Sequence, residues 1–213
     1  MGIYERKQRE KDKRKVEIIN AARKVFSNKG FNSSTMEEIA TEAELSPGTL
    51  YLYFKNKEEL HTSLSIEILK YLADEIQKVV IEEISVEEKI DRFRDVFIKV
   101  YDHDPNILIN LFHLQSGETL QNLSDEVLQQ IKIYSSLAHG AIINVIKEGI
   151  EQGTFIDEHP VALADVLWAS YAGVVLWVDS KRLLNDQKDF VKPTLKTAFT
   201  VISRGLKKNN LLA

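Results

Sequence analysis

Hydrophobic positions recur at helical spacing along nearly the whole chain. Between about Lys13 and Lys29, apolar residues fall at i, i+4, i+7 and i+8, which is the stripe of an amphipathic helix, and Gly30 ends it. No segment alternates apolar and polar residues as a half-buried strand does. The pattern therefore predicts an all-α protein of about nine helices.

Three helix starts lie close together after this first helix. Each has a side chain that can accept a hydrogen bond from the first turn, and two have a glutamate three residues later, which completes a capping box. These starts are Thr35 with Glu38, Ser46 followed by Pro47, and Asn56 with Glu59. Two short helices joined by a tight turn and preceded by a third form a helix-turn-helix, whose second helix enters the major groove of DNA.

The predicted recognition helix runs from Pro47 to about Phe54. Leu50 and Phe54 are four residues apart and face the core. The exposed positions are then Gly48, Thr49, Tyr51 and Tyr53. Threonine and tyrosine offer hydroxyl groups to base edges and phosphates, and glycine lets the backbone approach closely. The helix starts add amide groups that can bind anions, although each cap alone is as well explained by the need to begin a helix.

Positive charge is concentrated at the N-terminus. Residues 1–34 contain ten Lys or Arg and four Asp or Glu, a net charge of +6, so the other 179 residues carry −10 of the total of −4. A basic end on an acidic body fits a protein that presents one end to phosphates. A solvated arm of mixed charge is an equally good explanation from charge alone.

The sequence contains no pattern typical of catalysis or metal binding. Cysteine is absent, which excludes disulfides, thiolate metal sites and cysteine nucleophiles. Asp102, His103 and Asp104 are neighbours on a predicted loop, and neighbours rarely converge on one ion. We therefore predict no catalytic residue, no cofactor and no metal, and an enzyme on a helical scaffold has no motif in its favour. The first fifteen residues have no secretory pattern, so the expected location is the cytoplasm.

Several short motifs follow one another from Ile18 to Leu60. They are Ala22-x-x-x-Phe26, Gly30-Phe31, Thr35-x-x-x-Ile39-Ala40 and Leu45-Ser46-Pro47-Gly48-Thr49-Leu50-Tyr51-x-Tyr53-Phe54-x-Asn56-Lys57-x-x-Leu60. Together they closely resemble the DNA-binding domain of the TetR/AcrR family. The one departure is Leu52, where the family often has a second aromatic residue.

The resemblance implies a DNA-binding role for residues on all three helix starts. Thr35 and Lys57 would contact phosphate, and the others would approach the groove, phosphates or base edges. The residues predicted to contact DNA are Thr35, Ser46, Pro47, Gly48, Thr49, Tyr51, Tyr53 and Lys57. The basic arm before Lys15 varies between such proteins, so only a nonspecific electrostatic role is expected for it, with the minor groove as one place of contact.

Longer amphipathic segments follow, with predicted helix starts at Ser85, Pro105, Ser124, Pro160 and Asp186 to Asp189. Residues 1–56 are thus predicted to form the DNA-binding domain, and residues 57–213 a helical ligand-binding and dimerisation domain. The segment from Val161 to Val178 is apolar nearly all round. Asp165 and the lack of a clearly basic flank favour a buried or interface helix over a membrane span.

Family members dimerise through their last two helices, and both of these helices have apolar faces here that exceed what one monomer readily buries. The predicted interface consists of Ala169, Ala172, Gly173, Leu176, Trp177, Leu195, Phe199 and Ile202. A two-fold homodimer presents two recognition helices to half-sites about 34 to 36 Å apart, so a palindromic operator is expected.

Family members also sense small molecules inside the C-terminal domain, in a pocket whose lining differs between branches. The predicted lining is Phe97, Tyr101, Phe112, His113, Tyr134, Trp168 and Tyr171. Core packing is the alternative for each of these side chains. The predicted function is a repressor that a small lipophilic or aromatic effector releases from double-stranded DNA. A DNA-binding protein of the same fold without a sensor is the alternative.

Overall fold

The computed structural model describes residues 2–115, 123, 125–184 and 189–208, without the side chains of residues 3, 113–115 and 182–184. These described parts form nine helices: α1 (Ile3–Lys29), α2 (Met36–Glu42), α3 (Pro47–Tyr51), α4 (Lys57–Val80), α5 (Val86–His103), α6 (Pro105–Gln115), α7 (Asp125–Glu151), α8 (Pro160–Leu184) and α9 (Val191–Leu206). Their only β interaction is an isolated bridge between Phe155 and Lys207. The all-α prediction is confirmed.

The chain divides into two compact units, Met1–Glu67 and Ile68–Ala213. The division lies inside α4, whereas the predicted boundary lay just before this helix. The first turns of α4 belong with the first unit because they complete its core. Leu60 is fully buried there, and the ring of His61 lies 4.5 Å from that of Phe31.

The basic N-terminal arm is helical, because α1 begins at Ile3, well before the predicted start. Charged side chains one turn apart pair along it, with Arg6 Nε 3.0 Å from Glu10 Oε1 and Arg14 Nη1 2.8 Å from Glu17 Oε2. Each such pair stabilises an exposed helix by about 0.2 to 0.5 kcal/mol. Apolar periodicity could not predict this extension, since the arm has no buried face.

The turn between α2 and α3 follows the hydrogen-bond pattern of a Schellman motif. The N–H of Leu45 bonds to the carbonyl of Ala40 at 2.8 Å, and the N–H of Glu44 bonds to that of Thr41 at 3.1 Å. Glu44 adopts the left-handed conformation that this motif requires, with φ of 54°. A glycine normally occupies such a position, so no obvious residue type marks this turn in the sequence.

The recognition helix α3 is shorter than predicted and ends at Tyr51. The N–H of Leu52 bonds to the carbonyl of Thr49 at 3.2 Å, and that of Tyr53 bonds to Leu50 at 2.9 Å. These bonds join residues three apart, so the last turn tightens into 3₁₀ geometry before α4 begins.

The helix starts predicted for the second unit agree with the structure wherever it describes them. Ser85 and Glu88 form a capping box at α5, and the predicted prolines begin α6 and α8. At α9 the N–H of Val191 bonds to Asp189 Oδ1 at 3.0 Å. Ser124 and Asp186 lie outside the described residues.

Within the described residues, α8 is the one helix long and apolar enough to cross a membrane. Its Pro160–Lys181 stretch has a mean hydropathy of 1.8, and 28% of the apolar window is buried. Leu167 and Tyr171 are fully buried, whereas Val166 and Trp177 are exposed. The helix therefore packs one apolar side into the second unit and leaves another apolar side uncovered.

Candidate DNA-binding and effector sites

A reciprocal capping box fixes the start of α2. Thr35 Oγ1 accepts a hydrogen bond from the N–H of Glu38, and the Glu38 carboxylate accepts one from the N–H of Thr35, both at 3.2 Å. Lys29 also bonds to this carboxylate. The hydrogen bonds from Lys29 and then Thr35 hold the pKa of Glu38 below its ordinary value. Thr35 remains exposed, as a contact with phosphate requires.

Ser46 begins the recognition helix as predicted. Its Oγ accepts a hydrogen bond from the N–H of Thr49 at 3.1 Å and lies 2.8 Å from the Thr49 hydroxyl oxygen. Pro47 occupies the first helical position. A methyl group added at Gly48 would meet only Ser46 Oγ, at 4.0 Å. The fold itself therefore does not require glycine at this position.

The recognition segment presents a mixed polar and apolar surface. Ser46, Pro47 and Gly48 are exposed, Thr49 and Tyr53 are half-buried, and Tyr51 is 47% exposed. Leu52, which was not predicted as a site residue, is 80% exposed. Helical spacing places Leu52 on the side opposite the buried positions of this segment, so the spacing could have identified it as a surface residue.

Lys57 differs most from its predicted role. Its ammonium group donates hydrogen bonds to the carbonyls of Phe31 at 2.7 Å, Ser34 at 2.9 Å and Asn32 at 3.4 Å. It also lies 4.5 Å from the centre of the Phe31 ring. Lys57 therefore holds the loop between α1 and α2 in place, and a phosphate would have to compete with these partners.

The cap at α4 is confirmed with one change. Asn56 Oδ1 accepts a hydrogen bond from the N–H of Glu59 at 2.7 Å. The Glu59 carboxylate then accepts from the N–H of Lys55, also at 2.7 Å, and not from Asn56 as a capping box requires. The carboxylate therefore provides a hydrogen-bond acceptor for the backbone N–H of the residue before the cap.

Four of the predicted effector residues form one aromatic cluster in the second unit. Phe97 stacks on Tyr171 with ring centres 4.2 Å apart, and Phe112 lies edge-on to Tyr171 at 5.4 Å and to Trp168 at 5.8 Å. The Tyr171 hydroxyl donates to the Phe97 carbonyl at 3.0 Å, and burial raises the pKa of Tyr171 well above its ordinary value. Phe97, Phe112 and Tyr171 are buried, so these rings form an apolar interior with the partly exposed Trp168 at its edge.

The structure describes the side chains of two of the other three predicted effector residues. Tyr101 is buried, and its hydroxyl donates to Asp189 Oδ2 at 2.9 Å. Tyr134 is half-buried on α7 and makes no ring contact with another described residue. The side chain of His113 lies outside the described part of the chain.

A small pocket opens next to the aromatic cluster, between α7 and α8. It has a volume of ≈ 320 Å³ and is lined by Ser135, Ser136, His139 and Trp168. His139 Nε2 lies 3.0 Å from Asp165 Oδ1. Known ligand pockets begin at about 300 Å³, so this one is at the small end. Neither serine had a spacing in the sequence that could have identified it.

The structure separates the predicted dimer residues into two groups. Leu195 and Phe199 are fully buried within the second unit, where Phe199 lies edge-on to Phe97 at 5.5 Å. Placing these two residues in the interface was wrong, because their side of α9 faces the core of the same chain. Ala169, Gly173 and Trp177 are exposed, and Ala172, Leu176 and Ile202 are partly exposed.

Among the described residues, no group of three or more His, Asp or Glu side chains could hold a metal ion. Asp102, which was considered as a ligand, instead pairs with Lys192, with Oδ1 and Nζ 2.7 Å apart. This pair joins the C-terminal end of α5 to the start of α9.

Comparison with known proteins places this chain among bacterial regulators. The model of the family described as bacterial regulatory proteins, tetR family, matches residues 18–64. The fatty acid metabolism regulator protein of Bacillus subtilis (strain 168) is 29% identical over 177 residues, which are 81% of this chain and 85% of the relative.

Solved structures share the fold. The TetR family regulator PfmR from Thermus thermophilus has a TM-score of 0.70 at 19% identity, covering 90% of this chain and 99% of its own. FadR from Bacillus subtilis in complex with stearoyl-CoA has a TM-score of 0.66 at 22% identity, covering 90% and 98%. The helix-turn-helix described above and the family model that matches residues 18–64 show that this chain has the DNA-binding domain of the TetR family of transcriptional regulators, and its curated relatives are regulators and not enzymes.

Proposed function

We propose that this protein is a repressor that binds a palindromic operator as a dimer and is released by a long-chain acyl-CoA. The similarity to the fatty acid metabolism regulator supports this most strongly, because it extends over 81% of the chain and so includes much of the second unit. The stearoyl-CoA in the FadR structure gives the chemical class. An acyl thioester is also lipophilic, which agrees with the effector expected from the sequence.

The interior of the second unit suits an acyl chain. The cluster of Phe97, Phe112, Trp168 and Tyr171 is apolar, and Trp168 also lines the pocket between α7 and α8. We infer that an acyl chain enters beside Trp168 and separates the rings. A ligand that binds only the opened arrangement shifts the population toward it, and a coupling of about 1 to 3 kcal/mol between sites is sufficient for regulation.

The uncovered side of α8 supports a dimer. Val166, Ala169, Gly173 and Trp177 follow one another at helical spacing, and Trp177 is 62% exposed. Small residues beside a large aromatic one let two helices approach closely and interdigitate. A two-fold axis through this surface would present two copies of α3 to the two halves of a palindrome.

The first experiment is selection of a random duplex pool by the purified protein, followed by addition of stearoyl-CoA, free CoA or stearate. We expect an enriched inverted repeat that stearoyl-CoA releases and free CoA does not. Absence of any enriched sequence would contradict operator binding. An enriched repeat that none of the three compounds releases would contradict the proposed effector.

Two tryptophan variants separate sensing from dimerisation. Trp168→Ala is expected to leave operator binding intact and to raise the stearoyl-CoA concentration needed for release, because this ring borders the pocket. Trp177→Ala is expected to weaken the dimer without changing stearoyl-CoA binding. Equal responses of the two variants in both assays would contradict the assignment of these side chains.

Ala169→Glu tests the dimer surface directly. A charge on the exposed side of α8 is costly to bury in an interface, so sedimentation should show monomers. Ile81→Glu is the matched control, since Ile81 is an apolar residue that is 80% exposed outside α8. An Ala169→Glu variant that sediments as the wild type would contradict the proposed interface.

The alternative is a DNA-binding protein of the same fold without a sensor. The aromatic cluster favours it, because packed rings leave little space for a ligand. A titration with stearoyl-CoA, followed by tryptophan fluorescence, separates the sensor from the sensorless protein. No change in fluorescence and no release from the operator would support the sensorless protein. In either case the proposed partner is double-stranded DNA and the proposed location is the cytoplasm.

A further inference from the structure

The helical arm and the end of the recognition segment enclose a groove in the first unit. It has a volume of ≈ 610 Å³ and is lined by Lys7, Glu10, Lys11, Lys13, Arg14, Glu17 and Tyr53. Six of these seven side chains come from α1, and Tyr53 lies two residues after the end of α3. The groove is therefore open, strongly charged and next to the residues expected to contact DNA.

The charges in this groove leave an excess of positive charge. Glu10 is paired with Arg6, and Glu17 is paired with Arg14. Lys7, Lys11 and Lys13 form no ion pair with any residue that the structure describes. Both acidic side chains of the lining are thus neutralised, and three ammonium groups remain for an anionic partner.

The spacing of the cations indicates an extended partner. Lys7 and Lys11, which both lack an ion pair among the described residues, are four residues apart, so they lie on one side of α1. At about 1.5 Å per residue they are roughly 6 Å apart along the helix. One DNA strand carries a phosphate about every 3.4 Å of the duplex axis. These two cations on one side of the helix therefore fit neighbouring phosphates of one strand better than a single small anion.

Tyr53 supplies a neutral donor to the same groove. It is half-buried, and its hydroxyl group forms no hydrogen bond with another residue in the described part of the chain. A phenol can donate to a phosphate oxygen without adding charge. Because Tyr53 follows α3 directly, docking α3 in the major groove brings this hydroxyl and the arm to the adjacent backbone.

We propose that the groove between the N-terminal part of α1 and Tyr53 binds the sugar–phosphate backbone of one DNA strand beside the recognition site. Lys7 and Lys11 provide the charge and Tyr53 provides a hydrogen bond. The proposal rests on the DNA binding of this family and assigns to the arm a defined backbone site, beyond general attraction. It contributes affinity that does not depend on base sequence.

Salt dependence of binding tests the site without knowledge of the operator. The full chain is titrated with a mixed-sequence duplex over a range of KCl concentrations, and log K is plotted against log[KCl]. In K7Q/K11Q we expect the slope to be less steep by about 2 per subunit, because each lost phosphate contact reduces the slope by about 1. Binding at moderate salt should also be about tenfold weaker. K7R/K11R should restore the wild-type slope.

Matched variants distinguish the loss of a local DNA contact from a general reduction of the positive charge of the protein. K70Q/K208Q removes the same two charges from exposed positions of the second unit and should leave the slope close to that of the wild type. Tyr53→Phe should weaken binding several-fold at an unchanged slope, because a neutral hydrogen bond releases no counterions. Circular dichroism checks that each variant keeps the helix content of the wild type.

The outcomes are separate from those for the proposed repressor. Equal slopes for K7Q/K11Q and K70Q/K208Q would overturn the site, even if the wild type selects an inverted repeat. A changed consensus sequence with K7Q/K11Q would also overturn it, because a phosphate contact does not read the base edges directly. An unchanged consensus, a less steep slope and a shorter hydroxyl-radical footprint together are the expected result.

Discussion

The two units use their aromatic and polar residues in opposite ways. In the first unit, the residues predicted to contact DNA are mostly exposed, and a methyl group could be added at Gly48 without conflict. In the second unit, most residues predicted to contact an effector are buried, and Phe97 and Tyr171 stack 4.2 Å apart. The DNA surface is therefore already formed in the free protein, whereas an effector would have to displace packed side chains.

This difference predicts which property a substitution changes. A substitution on the surface of the first unit removes contacts with DNA that the folded chain does not need, so DNA affinity falls and the free energy of unfolding is unchanged. A substitution in the interior of the second unit disturbs close packing, so stability falls.

The largest expected effect is at Gly149 in α7. A Cβ atom there would lie 2.2 Å from Cδ2 of Phe155, whose ring is 2% exposed and cannot easily move. Gly149→Ala should lower the free energy of unfolding by about 2 to 3 kcal/mol, measured by urea denaturation. Gly140→Ala on the same helix is the control, since nothing lies within 4 Å of that position, and it should be neutral or stabilising by up to about 1 kcal/mol.

The second effect concerns DNA affinity alone. Gly48→Ala should leave the free energy of unfolding unchanged or slightly higher, because the added methyl has space in the folded chain. If the backbone of α3 approaches DNA closely, operator affinity should fall about tenfold, which is about 1.4 kcal/mol. Tyr51→Ala should behave in the same way. Loss of thermal stability in step with loss of binding would contradict the comparison between the units.

A smaller effect is expected at Glu75 in the second unit. Its carboxylate accepts hydrogen bonds from Lys78 Nζ at 2.6 Å and Lys99 Nζ at 2.7 Å. Burial of Glu75 raises its pKa, but the two lysines together outweigh this and hold the pKa below the ordinary value of 4.5. The pairs therefore stabilise the fold above about this pH, and the contribution is lost as the pH falls through the lowered pKa.

Glu75→Gln should thus cost about 1 kcal/mol at neutral pH, because the lysine partners are exposed and well solvated. The difference from the wild type should shrink under acidic conditions, where the wild-type carboxylate is protonated. Urea denaturation at several pH values measures this. A difference that stays constant down to strongly acidic pH would show that the ion pairs are not its cause.

The smallest expected effect is at Glu44, in the turn of the first unit. Its left-handed conformation, with φ of 54°, costs a residue with a Cβ atom roughly 1 to 2 kcal/mol. Glu44→Gly removes this cost but adds freedom to the unfolded chain, so a net gain below about 1 kcal/mol is expected. Glu37→Gly in α2, where the backbone is helical, should instead lose about 1 kcal/mol. A destabilised Glu44→Gly variant would contradict the strain inferred at this turn.

Much of the first unit could be predicted because its signals are local. A cap such as Ser46 or Thr35 bonds to a residue three positions away, so adjacent sequence contains both partners. The aromatic cluster was predicted in part for a different reason, since aromatic side chains on apolar helix faces tend to meet in a core. Which neighbours they meet, and whether a space remains between them, is not a property of any single segment.

The sequence by itself determined the all-α class, the order of the helices and the helix-turn-helix with its caps. Only the tertiary structure decided that Leu195 and Phe199 face their own core, that Lys57 bonds to carbonyls of the loop before α2, and that the part of α1 from Lys7 to Glu17 lies beside Tyr53. The physical reason is range: caps and helical periodicity act over a few residues, whereas burial, ion pairing and grooves depend on residues that are distant along the chain.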